Sequence, residues 1–160
     1  MGVIATSGHR DYTIDAENLL KDAGAVTATG AAQVGGSDAV LDFGGEPLIG
    51  QSADQVAYVR GHVVVEVDAV DVADADESYD IVYQLSDDAD FTAGNVVARA
   101  ALHLGTAQGP DGDPAAGTGR VVIGVDNEFQ GQLFRFARIA HVIAGTTPSI
   151  SYRAFLGQGL

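Results

Sequence analysis

Two groups of side chains offer metal or acid–base chemistry. One is the four histidines, His9, His62, His103 and His141. The other is a dense run of carboxylates: Asp68, Asp71, Asp74, Asp76, Glu77 and Asp80. The histidines lie far apart, and none forms an H-x-H pair or an H-E-x-x-H motif, so neither a cupin-like nor a zincin centre is supported. Three of them fall on expected strands, where isolated histidines on sheet faces are the simpler reading. Closely spaced carboxylates suit calcium, but the D-x-D-x-D-G order of a calcium loop is missing and no glycine interrupts the run. A solvated acidic loop is expected, with Asp74, Asp76 and Glu77 the first place for a divalent ion and Asp111 with Asp113 a weaker second. No metal and no cofactor is expected.

Glycoside hydrolysis needs two opposed carboxylates roughly 5–10 Å apart. With 22 acidic residues some pair will meet that distance by chance, so it selects nothing. Glu66 is the most unusual acid, because it interrupts an apolar strand pattern; it either faces solvent, pairs with an arginine or acts in catalysis. There is no G-x-S-x-G elbow. Lys21, the one lysine, follows Leu20 rather than a glycine-rich loop, and no G-x-G-x-x-G opens a helix. With no cysteine, thiol catalysis, thiolate metal sites and disulfides are excluded. No catalytic residue is assigned, and the chain is not expected to be an enzyme.

Arg135, Arg138 and Arg153 stand out near the C-terminal strands of a chain poor in positive charge. Either they neutralise neighbouring acids, which stabilises little when exposed, or they fix a subunit contact, where arginine is favoured over lysine. The net charge of −14 argues against nucleic acid and anionic membrane as partners. It suits a soluble particle surface or a basic partner, and a saline habitat would produce the same balance. Aromatic residues make up 7% with no tryptophan, a poor basis for a sugar-stacking platform.

The elements that must position these residues are strands. Tyr79, Ile81, Tyr83 and Leu85 alternate with Asp80, Val82, Gln84 and Ser86, the period of a half-buried strand. Val63, Val65, Val67 and Ala69 do the same within His62–Val70. Gly61 is placed to mark a bulge in a longer strand starting near Gln55. Further strands are expected over Asn95–Leu104, Arg120–Val125, Leu133–Ile143 and Ser149–Leu156, with weaker ones over Ala25–Ala31 and Ala39–Phe43. Helical signal is confined to one short turn with Asp15 as N-cap and Ile14 and Leu19 as a staple, and a turn around Asp87–Ala93. Gly44–Asp54 and Gly105–Gly119 read as loops, and Met1–Thr13 is polar and aperiodic. The 160 residues fit one domain: an all-β jelly roll or β-sandwich of about eight strands over 19–160, preceded by an extended N-terminal arm over 1–18.

The first residues lack an export signal. Gly2 and Thr6 match the myristoylation pattern, without the polybasic patch that stable anchoring needs. Asn18, Asn95 and Asn127 are not glycosylation acceptors, and no apolar run approaches the ~20 residues of a membrane-spanning helix.

The segment Val82-Tyr-Gln-Leu-Ser-Asp-Asp-Ala-Asp-Phe91 is a strand ending in Gln-Leu, an acidic turn and a phenylalanine. Later comes Phe134-Arg-Phe-Ala-Arg-Ile-Ala-His-Val-Ile-Ala-Gly-Thr146, an arginine-bearing strand closing in Gly-Thr, and then a last strand, Ile150–Leu156. With Leu19–Thr29 and Val40–Gly44 as opening strands, this order resembles the jelly-roll cement, or decoration, proteins of tailed bacteriophage capsids over roughly Asp15–Leu160. The Asp71–Glu77 and Gly109–Pro114 loops are longer and more acidic than that pattern, and the first dozen residues have no counterpart in it. The resemblance implies a non-enzymatic virion protein on the outer surface of the capsid. It would bind the major capsid protein, cement neighbouring capsomers and pair with itself as a homodimer or homotrimer. It points to His9, Arg10, Tyr12 and Ile14 of the arm, with Arg135, Arg138 and Arg153, as contact residues. The alternative is a carbohydrate- or receptor-binding jelly-roll module on the virion surface.

Overall fold

A computed structural model describes residues 16–44, 55–92, 94–105 and 118–157. The proposed arm residues His9, Arg10, Tyr12 and Ile14 lie outside the described residues. A 3-10 turn, Ala16–Asn18, is followed by fourteen strand segments. These are β1 (Leu19–Lys21), β2 (Ala25–Val26), β3 (Gly30–Ala31), β4 (Gln33–Val34), β5 (Ser37–Asp38), β6 (Leu41–Asp42), β7 (Arg60–Val70) and β8 (Ser78–Ser86). Then come β9 (Val96–Gly105), β10 (Gly119–Asp126), β11 (Glu128–Phe129), β12 (Gln132–Leu133), β13 (Phe136–Ala144) and β14 (Ile150–Gly157).

Two antiparallel sheets carry the fold. Sheet A has the order β1-β14-β7-β10, with β2 also on β14; sheet B has the order β3-β13-β8-β9, with β6 also on β13. Each turn from β7 to β8, β9 to β10, β10 to β13 and β13 to β14 changes sheet, so the path is the double Greek key of a jelly roll. The many segments reduce to eight strand positions. β1 and β2 share one edge of sheet A, β3 and β6 share one edge of sheet B, and β4–β5 and β11–β12 are small hairpins outside both sheets. Both hairpins turn on two residues with positive φ, Gly35–Gly36 (60° and 83°) and Gln130–Gly131 (53° and 81°). That is the turn whose twist matches antiparallel strands.

The six long strands lie where period-two alternation places them. The inward row of β8, Tyr79, Ile81, Tyr83 and Leu85, is buried against Val63, Val65 and Val67 of β7 and Ile150, Tyr152, Ala154 and Leu156 of β14. Four expectations need correction. Ala25–Ala31 is not one strand: β2 pairs with β14 in sheet A and β3 with β13 in sheet B, so the chain crosses the sandwich between them. Leu133–Ile143 is broken, because Phe134 folds into the core and sends its N–H to Asn127 O at 2.8 Å. Gly61 introduces no bulge; β7 and β10 run in unbroken register through it. In place of the helical turn expected over Asp87–Ala93, the described part of that segment makes a single hydrogen-bonded turn: Phe91 N–H donates to Asp88 O at 3.0 Å, and the Asp88 carboxylate accepts from Asp90 N–H.

Tyr79 ties the loops at one end together. Its hydroxyl donates to Asp71 O at 2.7 Å and accepts from Ser149 N–H at 3.0 Å. Between the sheets, His141 Nδ1 stands 3.0 Å from the Tyr152 hydroxyl, and the Lys21 ammonium lies 5.1 Å over the Tyr152 ring. Burial, and then the Lys21 charge, lower the His141 pKa from its usual 6.5. Below pH 6.5 the unfolded chain takes up a proton that the folded one resists, so stability falls as pH drops through that region. His141→Leu should flatten this limb in urea midpoints measured from pH 7.5 to 5.5; an unchanged slope would contradict it.

Candidate interaction surface

The arginines singled out from sequence occupy two different faces. On the outward face of sheet B, Arg138 extends from β13 across β8. Its Nε donates to Gln84 Oε1 at 2.9 Å, and its guanidinium stacks 4.2 Å over the ring of buried Phe91. Burial lowers its pKa, and among the described residues no carboxylate lies within ion-pair distance of it. Arg135, just before β13, forks onto Asp42 of β6 through Nε and Nη2 at 2.8 and 2.9 Å. Those hydrogen bonds hold the Asp42 carboxyl below its usual pKa. Gly44 leaves room for this guanidinium, since a Cβ there would stand 2.7 Å from Arg135 Nε.

Arg153 lies on the outward face of sheet A, where β14, β7 and β10 align it with Glu66 and Arg120 in one cross-strand row. Arg153 Nε donates to Glu66 Oε2 at 2.8 Å and Arg120 Nε to Oε1 at 2.9 Å. The Arg153 bonds, then those of Arg120, draw the Glu66 carboxyl below its usual pKa against the opposing effect of burial. The unusual strand acid is therefore the centre of an Arg–Glu–Arg row. Sequence reasoning misses Arg120, because its role depends on register between strands far apart in the chain, which no local pattern announces. Glu66→Gln should destabilise by about 1 kcal/mol near neutrality, a figure reduced for solvent screening. Because the folded pKa is depressed below 4.5, that difference should vanish as pH falls below 4.5 and through the folded value. Chemical denaturation of both proteins at pH 7 and pH 3 tests this.

The acidic run is consumed locally. Asp76 accepts from Thr146 N–H and its hydroxyl at 3.0 and 2.9 Å, Asp74 accepts from Thr147, and buried Glu77 accepts from Asp74 N–H. These bonds clasp the β7–β8 loop to the β13–β14 turn. The described histidines do not converge: His103 Nδ1 meets Asp80 Oδ1 at 2.6 Å on the surface, whereas His141 is interior. Among the described residues no group of three histidine or carboxylate side chains is placed to hold a metal ion.

No protein-family model, curated protein or solved structure matches this chain. β8 and β13 pair over nine residues, from Ser86↔Phe136 to Ser78↔Ala144. The segment ending at Phe91 and the arginine-bearing segment beginning at Phe134 thus form one unit, joined by Arg138 on Phe91 and Gln84. The Gly-Thr that closes the later segment has its own physical reason. Gly145, at φ 121°, passes so close to Glu77 that a Cβ would lie 2.7 Å from its Cα, and Thr146 caps Asp76.

Proposed function

We propose that this chain is a capsid decoration protein. It binds the outer surface of an assembled shell through the major capsid protein and bridges neighbouring capsomers without catalysing a reaction. One observation carries the reading: the two segments that prompt the resemblance pair strand to strand and lock through Arg138, Phe91 and Gln84. The jelly-roll strand order and the charge of −14 support it, since an acidic outer layer stays soluble and does not adsorb released genome. Many copies of a modest contact, each spanning two subunits, stabilise an expanded shell by mass action and avidity. The carbohydrate-binding alternative gains less support, because Tyr58 is the one large exposed aromatic among the described residues.

The test is co-sedimentation of the purified protein with expanded and unexpanded shells of the virus that encodes it. Saturable retention on expanded shells, with raised thermal resistance, is expected. No retention on either form overturns the reading, and glycan binding abolished by chelation would favour the alternative.

A further inference from the structure

The described part of the jelly roll has four lateral edges, and three of them are unsuited to pairing. β1 is three residues long and its register is broken between Leu19 and Lys21. β3 and β6 are two-residue pieces. β9 is long, but its register on β8 is interrupted at Tyr83/Gln84 by a bulge at Arg99, whose guanidinium crosses to Asp126 and Glu128 O. Short strands and bulges of this kind block edge-to-edge association. β10 differs. It pairs with β7 without a register shift from Gly119↔Val67 to Asp126↔Arg60, carries no proline or lysine, and has no described strand paired on its other side.

We infer that two copies of this chain pair antiparallel through β10, about a two-fold axis at Ile123. This goes beyond the capsid reading and does not depend on it. The sequence of the edge is self-complementary in that register. Arg120, held by Glu66 of its own chain, falls opposite Asp126 of the other copy, held there by Arg99, so opposite charges alternate along the row, and Val121 falls opposite Val125. Opposite charges and β-branched pairs are the favourable cross-strand combinations. Val122 falls opposite Gly124. Val122 is 42% exposed on the outward face, a rare large apolar side chain left in water here. Gly124 has no atom within 4 Å of where a Cβ would stand, and it floors a groove of about 540 Å³ also lined by Arg60, His62, Arg99 and Asp126. Each exposed valine therefore meets the other copy's gap. The pairing merges both A sheets into one continuous sheet and gives the dimer two equivalent outer faces. One edge is a small interface, so dissociation in the micromolar range is expected.

Sedimentation equilibrium of the full chain reads the dimer directly, without any capsid. The sequence has no cysteine, so Val122→Cys combined with Gly124→Cys reports the register: mild oxidation should link two chains on a non-reducing gel, whereas Arg120→Cys alone should not. Val122→Asp, at an exposed site, should be folded by circular dichroism and monomeric by sedimentation equilibrium. A wild-type protein that stays monomeric up to its solubility limit overturns the inference. A dimer that leaves the double-cysteine protein unlinked, or survives Val122→Asp, uses another surface and overturns it equally.

Discussion

Asn127→Ala should lower unfolding stability by about 3–4 kcal/mol, more than any other polar substitution among the described residues. Asn127 has no exposed surface, and its three side-chain hydrogen bonds all go to backbone. Its Oδ1 accepts from Val59 N–H at 2.8 Å, and its Nδ2 donates to Ala57 O at 2.8 Å and Phe134 O at 3.0 Å. Its own backbone adds Asn127 N–H to Val59 O and Phe134 N–H to Asn127 O. One side chain thus joins the irregular segment leading into β7 to the β10–β13 connection. Truncation strands a donor and two acceptors, each worth about 1–3 kcal/mol when buried; the estimate is lowered because Ala57 is exposed and can take water. Asn127→Asp sharpens the test. It keeps the acceptor for Val59 but sets a carboxylate oxygen against two carbonyls. It should be worse than alanine at pH 7 and recover part of the loss on acidification, when the protonated acid can donate to one of them. Urea unfolding at pH 7 and pH 4 reads both effects. A loss below about 1 kcal/mol for Asn127→Ala would mean that the segment around Val59 is not held by this residue.

Asn127 also marks where sequence reading stops. The long strands are legible because burial imposes a period of two on one face, as in Tyr79, Ile81, Tyr83 and Leu85, and that period survives without knowledge of any partner. Short strands are not, since their existence is decided by the neighbour. Ala25–Val26 and Gly30–Ala31 read as one run, yet β14 captures the first and β13 the other. The surface rows are half legible. Scarcity of positive charge draws attention to Arg135, Arg138 and Arg153, but their partners Asp42, Gln84 and Glu66 lie 93, 54 and 87 residues away. Proximity in sequence groups the three arginines, and the fold separates them, because β13 and β14 belong to opposite sheets. Arg120 and Asn127 give no local signal at all. Arg120 has no charged neighbour in sequence with which it pairs, and Asn127 has the local surroundings of an ordinary turn residue.

Gly105→Ala and Gly145→Ala should each destabilise by about 3 kcal/mol or more, through one shared obstruction. Both glycines press on the backbone of Glu77 from different elements, the end of β9 and the β13–β14 turn. A Cβ at Gly105 would overlap Glu77 O and stand 3.0 Å from Ser78 Cα. A Cβ at Gly145 would stand 2.7 Å from Glu77 Cα and 3.0 Å from its N. Neither neighbour is a flexible side-chain tip that can swing aside, so the loop carrying Asp74, Asp76 and Glu77 must shift and its clasp on Thr146 and Thr147 must loosen. Both residues also have φ near +120°, which carries a penalty of about 1–2 kcal/mol for alanine by itself. Gly119 separates the two causes. It has φ 119° with nothing within 4 Å of a built Cβ, so Gly119→Ala reports the backbone penalty alone. Thermal and urea unfolding of the three variants should place Gly119→Ala well above the other two in stability. The double variant Gly105→Ala/Gly145→Ala should lose less than the sum of its parts, because one displacement of Glu77 relieves both clashes. Equal losses at all three positions would remove close approach as the cause and leave backbone conformation to explain why glycine stands before Thr146.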